Sequence, residues 1–104
     1  MKLDNVGPLD LKTSQKSSEV FINSSGPLSI QPVVNNLCGA PTYTLEVSND
    51  KINFLNYSDE STDLSLEDAI QINYIKIPWQ YMRISVSSVL GDSGIANFIF
   101  SYNG

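Results

Sequence analysis

Five of the chain's eleven acidic residues, Asp59, Glu60, Asp63, Glu67 and Asp68, fall within one short stretch. Carboxylates gathered in this way are the usual oxygen donors for calcium. Asp59, Ser61, Asp63 and Ser65 occupy alternate positions, as at the start of an EF-hand loop. The pattern then fails twice: Leu64 stands where that loop needs Gly, and Ile70 where it needs a bidentate Glu. Two readings stay open for residues 59–68, a looser calcium site between sandwich loops or a solvated, solubilising loop. No metal ligand is assigned and no cofactor is expected.

Other chemistry fares no better. Glycoside hydrolysis needs two carboxyl groups facing each other across a cleft at a defined separation. Glu46 is the acid most clearly inside a strand, it points outward, and no second acid stands at a spacing that would face it. The chain has no His, which removes the usual general base and the commonest metal ligand. Its single Cys38 permits no internal disulfide. With no cation close by in sequence to activate it, Cys38 is expected to be a small buried side chain beside Gly39. Trp79 and Tyr81, with Tyr74 and Tyr57, could stack on a sugar ring, though such aromatics also serve as core and corner residues. Asn23-Ser24-Ser25 and Asn56-Tyr57-Ser58 match the glycosylation acceptor pattern, which carries weight only behind a secretory signal. Arg83, the only Arg, is placed on an outward strand face, where it can pair with an acid. No catalytic residue emerges, and the chain is read as non-enzymatic.

The composition explains why. The chain has 104 residues, is 41% hydrophobic and only 16% charged, with a net charge of -5; typical domains are ~25% charged. The length fits one domain. Its six cations, Lys2, Lys12, Lys16, Lys51, Lys76 and Arg83, are scattered. They make no patch that could neutralise a phosphate backbone or hold an anionic membrane. No apolar run approaches the ~18 residues of a transmembrane helix. Met1-Lys2-Leu3-Asp4-Asn5 lacks the apolar core of a signal peptide, so synthesis in the cytoplasm without processing is expected. Ser and Asn together number 25, Ile 10 and Ala 3. That balance starves helices and favours turns joined by β-branched strands.

The elements follow from alternation. Residues 42–48 place Tyr43, Leu45 and Val47 on one face and Thr42, Thr44, Glu46 and Ser48 on the other. Residues 81–87 do the same with Met82, Ile84 and Val86, and residues 95–102 with Ala96, Phe98, Phe100 and Tyr102. Strands are also predicted at 19–22, 28–34, 52–57 and 70–77. Turn signals separate them: Asn35-Asn36, Cys38-Gly39-Ala40-Pro41, Ser48-Asn49-Asp50-Lys51, Pro78-Trp79-Gln80 and Gly91-Asp92-Ser93-Gly94. Ser65 is placed to cap one turn of a short helix. Seven or eight short strands with regular turns predict an all-β antiparallel sandwich, jelly-roll-like, over residues 18–104. Residues 1–17 read differently. Leu3, Val6, Leu9 and Leu11 stand at spacings that would suit a helix, and Gly7-Pro8 interrupts it. This segment is predicted to be an extended arm whose Leu3, Val6, Leu9 and Leu11 bind a partner; the alternative is an edge strand on its own domain.

One set of segments resembles a known group. Ser29-Ile30-Gln31, the run from Tyr43 to Phe54, the run from Ile77 to Ile84 and Gly91-Asp92-Ser93-Gly94 with its terminal strand resemble small β-sandwich structural proteins of tailed-bacteriophage virions. Their general look is similar to those of crAss-like phages. The resemblance spans roughly residues 28–102 and departs at Lys51, where Gly is usual, and at Phe54, where Trp is usual. It implies a virion structural protein located in the virion, of the capsid auxiliary or decoration type. It also implies partners among the major capsid protein or other virion proteins, with many copies per particle and no nucleic acid or membrane. Two alternatives stand beside it. One is a carbohydrate-binding β-sandwich module using Trp79 and Tyr81. The other is a tail, baseplate or head-tail joining module.

Overall fold

The computed structural model describes residues 2–22, 27–57, 64–72 and 80–102. Ten strands occur among them: β1 (Lys2–Asp10), β2 (Gln15–Lys16), β3 (Val20–Phe21), β4 (Leu28–Cys38), β5 (Thr42–Ser48), β6 (Leu55–Asn56), β7 (Leu64–Ser65), β8 (Ile70–Ile72), β9 (Tyr81–Ser87) and β10 (Ser93–Tyr102). They form two antiparallel sheets. One has the order β1-β10-β4-β8; the other has β2-β9-β5-β6, with β3 also on β9 and β7 also on β5. The fold is the expected all-β sandwich. The first is the front sheet and the second the back sheet.

Alternation builds the core between them. Tyr43, Leu45 and Val47 from β5 and Met82, Ile84 and Val86 from β9 face Ala96, Phe98, Phe100 and Tyr102 from β10, all buried. Tyr43 and Phe98 meet across the layers with ring centroids 4.9 Å apart and planes tilted by 54°, a favourable aromatic arrangement. The Tyr43 hydroxyl donates to the backbone carbonyl of Asp68, so its polar end is satisfied. No buried side-chain polar atom among the described residues lacks a partner.

Residues 2–17 correct the arm prediction. They enter the sandwich at once: β1 pairs with β10 from Lys2↔Tyr102 to Asp10↔Ile95. Val6, Leu9 and Leu11 are buried in the core. The puzzle of their spacing is solved by a bulge. Between the pairs Val6↔Phe98 and Leu9↔Ala96, β1 holds Gly7 and Pro8 where β10 holds only Asn97. One extra residue reverses the phase of the alternation. Even positions face the core before the bulge and odd positions after it. Gly7 has φ +126°, and a Cβ there would lie 2.8 Å from the Ala96 carbonyl oxygen, so the bulge requires glycine.

The edge of the back sheet is broken rather than continuous, which is why ten strands replace the seven or eight expected. Between β2 and β3, the Ser17 amide donates to the Ile84 carbonyl (2.8 Å) and the Ser17 hydroxyl accepts from the Ile84 amide (2.9 Å). A side chain thus stands in for one rung of the ladder. Asn35-Asn36 also differs from expectation. β4 runs on to Cys38, and a second bulge with Asn36 at φ 55° absorbs the turn signal inside the strand. Cys38, expected to be buried, is exposed at that strand's far end. The core-facing alternation of β4 has given out by then, so nothing covers the thiol.

Candidate interaction surfaces

The outward face of the back sheet is organised by charge. Glu46 accepts from Arg83 Nε at 2.7 Å and from Lys16 Nζ at 3.0 Å. The Arg83 guanidinium also lies 3.7 Å from the centroid of the Phe54 ring, a cation–π stack. Register explains the meeting, because Glu46 stands opposite Arg83 and Ser85 opposite both Thr44 and Lys16. Burial alone would push the Glu46 carboxyl up. Hydrogen bonds from Arg83 and Lys16, together with their charges, outweigh it and hold the group below its usual range. The pairing foreseen for Arg83 is therefore present, and its acid is Glu46.

The turn after β5 is equally ordered. Asp50 accepts from the amides of Asn53 (2.7 Å) and Ile52 (2.9 Å), from the Asn53 side-chain amide (2.7 Å) and from the Ser48 hydroxyl (2.8 Å). These bonds hold its carboxyl far below the usual carboxylate range. Lys51 takes φ 66°, the left-handed conformation the turn demands. This is the position where the resembled group usually has glycine.

The sequence-predicted sites fare unevenly. Of the four residues assigned to a partner-binding arm, only Leu3 is exposed; Val6, Leu9 and Leu11 are core and unavailable to a partner. Trp79 and Tyr74 lie outside the described residues. Tyr81 is half-buried, with its ring centroid 5.5 Å from that of Phe21 and Lys51 Nζ 5.9 Å away. Of the acidic stretch, residues 59–63 lie outside the described residues. The Glu67 amide donates to the Ser65 hydroxyl at 3.2 Å and the Asp68 amide to the Ser65 carbonyl at 3.0 Å. Ser65 therefore caps a single turn in place of a short helix. Among the described residues no three His, Cys, Asp or Glu side chains converge.

A groove of about 440 Å³ opens where the edges of the two sheets part, lined by Leu3, Asp4, Val6, Val20, Phe21 and Tyr102, among others. The Tyr102 hydroxyl donates to the Asp4 carboxylate inside it. Burial, then the hydrogen bond to Asp4 and its negative charge, push Tyr102 up to about 12. At the opposite end of β10, Val89 and Leu90 stand fully out in solvent. Their loop is not loose, because Asp92 accepts from the amides of Val89 (2.9 Å) and Ala40 (3.2 Å).

The outward face of the front sheet contrasts with all of these. Its register places Leu3, Ser101, Ser29 and Gln71 in one row, and Asn5, Ile99 and Gln31 in the next. Asn97 and Val33 form a third row, and Asp10, Ile95 and Asn35 a fourth. Among the described residues of these rows, Asp10 at the margin is the only charged side chain. Sequence reasoning passed over this face because it weighed residues that could do chemistry. The signal was present in the odd positions of β10 and β4, which read Ile95, Asn97, Ile99 and Ser101 beside Ser29, Gln31, Val33 and Asn35.

No protein-family model matches the chain, and no curated protein matches it. A solved structure does. The crystal structure of the SPBc2 prophage-derived protein YomS superposes on 97% of this chain and 96% of that one, with a TM-score of 0.50 at 10% sequence identity. At that identity the likeness speaks for a shared fold.

Proposed function

We propose that the chain is a non-enzymatic structural protein of a phage virion, added in many copies to the capsid surface as an auxiliary or decoration subunit. The observation that carries this reading is the whole-chain likeness of its fold to a prophage-derived protein, in line with the sequence resemblance to virion sandwiches. The wiring supports it. Counting β2 with β3 and β6 with β7 as interrupted strands leaves two four-stranded sheets with the orders β1-β10-β4-β8 and β2/β3-β9-β5-β6/β7. Two four-stranded sheets that exchange strands distant in sequence support a jelly-roll reading, an architecture frequent in viral capsids.

Physical economy favours the role as well. A small domain with little charge and a largely neutral sheet face can be added to a shell in many copies, and many modest contacts sum to firm attachment. The docking device cannot be a detachable arm, since Val6, Leu9 and Leu11 hold the core; the exposed faces must do the work.

The test is the chain's place in purified particles, read by mass spectrometry for copy number and by particle reconstruction for location. Density repeated over the outer capsid supports the proposal. Density confined to the tail or the head-tail junction replaces it with the joining-module reading. Absence from particles, with retention on a glycan column lost in Tyr81→Ala, replaces it with the sugar-binding one.

A further inference from the structure

We infer that the uncharged outward face of the front sheet is a self-association surface, on which a second copy of this chain packs sheet to sheet. The argument starts from symmetry. When two identical faces meet about a twofold axis, residues near the axis face their own counterparts. A fixed charge there meets the same charge and is repelled. The face of the back sheet carries Arg83, Glu46 and Lys16 in its middle. Among the described residues the face of the front sheet carries none in its middle and only Asp10 at its margin, in a chain of net charge -5. It is the surface on which two copies approach with least repulsion.

Its side chains are also complementary to themselves. Asn97, Gln31 and Asn5 carry amides that both donate and accept, so each can bond to its own kind. Ile99 and Val33 lie among them and supply apolar area. Depletion of charge from the centre, with polar groups around it, is the composition of an interface core. A stack of two such sheets needs no rearrangement, since sheets pack face to face about 10 Å apart.

Area limits how much surface the pair can bury. Four strands ~4.8 Å apart and seven residues of β10 rising ~3.3 Å each give a face of roughly 20 by 20 Å. Two copies then bury on the order of 800 Å², short of the ~1,200 Å² at which stable pairs begin. The pair is therefore weak in dilute solution and becomes populated when copies are concentrated. The inference is independent of the virion role: self-association without incorporation into particles leaves it standing and removes the other.

Sedimentation equilibrium of the full chain, taken up to about 1 mM, tests it. A reversible dimer with a dissociation constant between about 0.1 and 1 mM is expected. Ile99→Lys, and the near-isosteric Gln31→Glu, should each weaken it about tenfold through like-charge opposition. Added salt should restore part of the Gln31→Glu loss by screening. Ser87→Lys, on the back sheet, should leave the constant unchanged, with the melting temperature of every variant measured alongside. A monomer at the highest concentration, or a dimer that Gln31→Glu does not weaken, overturns the inference.

Discussion

The two outward faces of this sandwich rest on one core and are built to opposite rules. On the back sheet, Glu46 is held by Arg83 and Lys16, and Arg83 lies over Phe54. Its charges are satisfied within the chain and leave little for a partner. On the front sheet the same alternation presents Asn5, Gln31, Asn97 and Ile99 in an uncharged array, whose amides can both donate and accept. The contrast teaches that a low total charge is less informative than where the charge is absent. A face whose charges pair with one another stabilises the fold; a neutral face rich in amides is suited to contact.

The largest expected effect breaks the layer both faces share. Phe98→Ala, at a fully buried site, should cost about 3–5 kcal/mol, and Leu11→Ala about 2–5 kcal/mol. Leu3→Ala, on the exposed side of β1, should stay within about 0.5 kcal/mol. Denaturant melts of the three separate an N-terminal segment integral to the core from a docking arm, for which Leu11→Ala would be silent. Next comes Gly7→Ala. A left-handed φ and a Cβ 2.8 Å from the Ala96 carbonyl oxygen should cost about 1–3 kcal/mol. The result is read by the same melts and by loss of amide-exchange protection along β1.

The back face gives a smaller effect with a pH signature. Glu46→Gln should cost on the order of 1 kcal/mol at neutral pH, because Lys16 is half exposed and solvent screens its share. The Glu46 carboxyl is held below its ordinary value in the fold. Its contribution is therefore present above the unfolded-state value near 4.3, and is lost as pH falls through the folded one. Melting temperatures of the parent and Glu46→Gln should draw together as pH falls below the unfolded-state value of about 4.3 and on through the folded one. The smallest effect on stability belongs to the front face: Gln31→Glu should change it by less than about 0.5 kcal/mol. A larger loss would mean that the neutral array serves the fold and is not a free surface.

Much of the fold was legible in the sequence. The alternations at 42–48, 81–87 and 95–102 placed Tyr43, Met82, Phe98 and their neighbours in the core. The outward assignment of Arg83 left room for an acid partner, which the register of β5 and β9 supplies as Glu46. What misled was the break in period at Gly7-Pro8. A bulge shifts phase by one residue, so Val6, Leu9 and Leu11 cannot be seen as one face until the partner strand is known. Asn36 hid a second bulge in the same way, since a left-handed residue inside a strand looks like a turn. The neutral face was legible residue by residue but not as a surface, because rows form only when β1, β10, β4 and β8 are set in register. Trp79 and residues 59–63, on which the sugar and calcium readings leaned, lie outside the described residues.

The central claim is that copies of this chain meet through the front sheet. The most direct measurement follows backbone and side-chain amide NMR signals of the full chain through a dilution series. Concentration-dependent shifts gathered at Asn5, Gln31, Asn97 and Ile99, with Thr44, Arg83 and Ser85 unmoved, are the predicted result. Shifts centred on the back face, or none at any concentration, would contradict it.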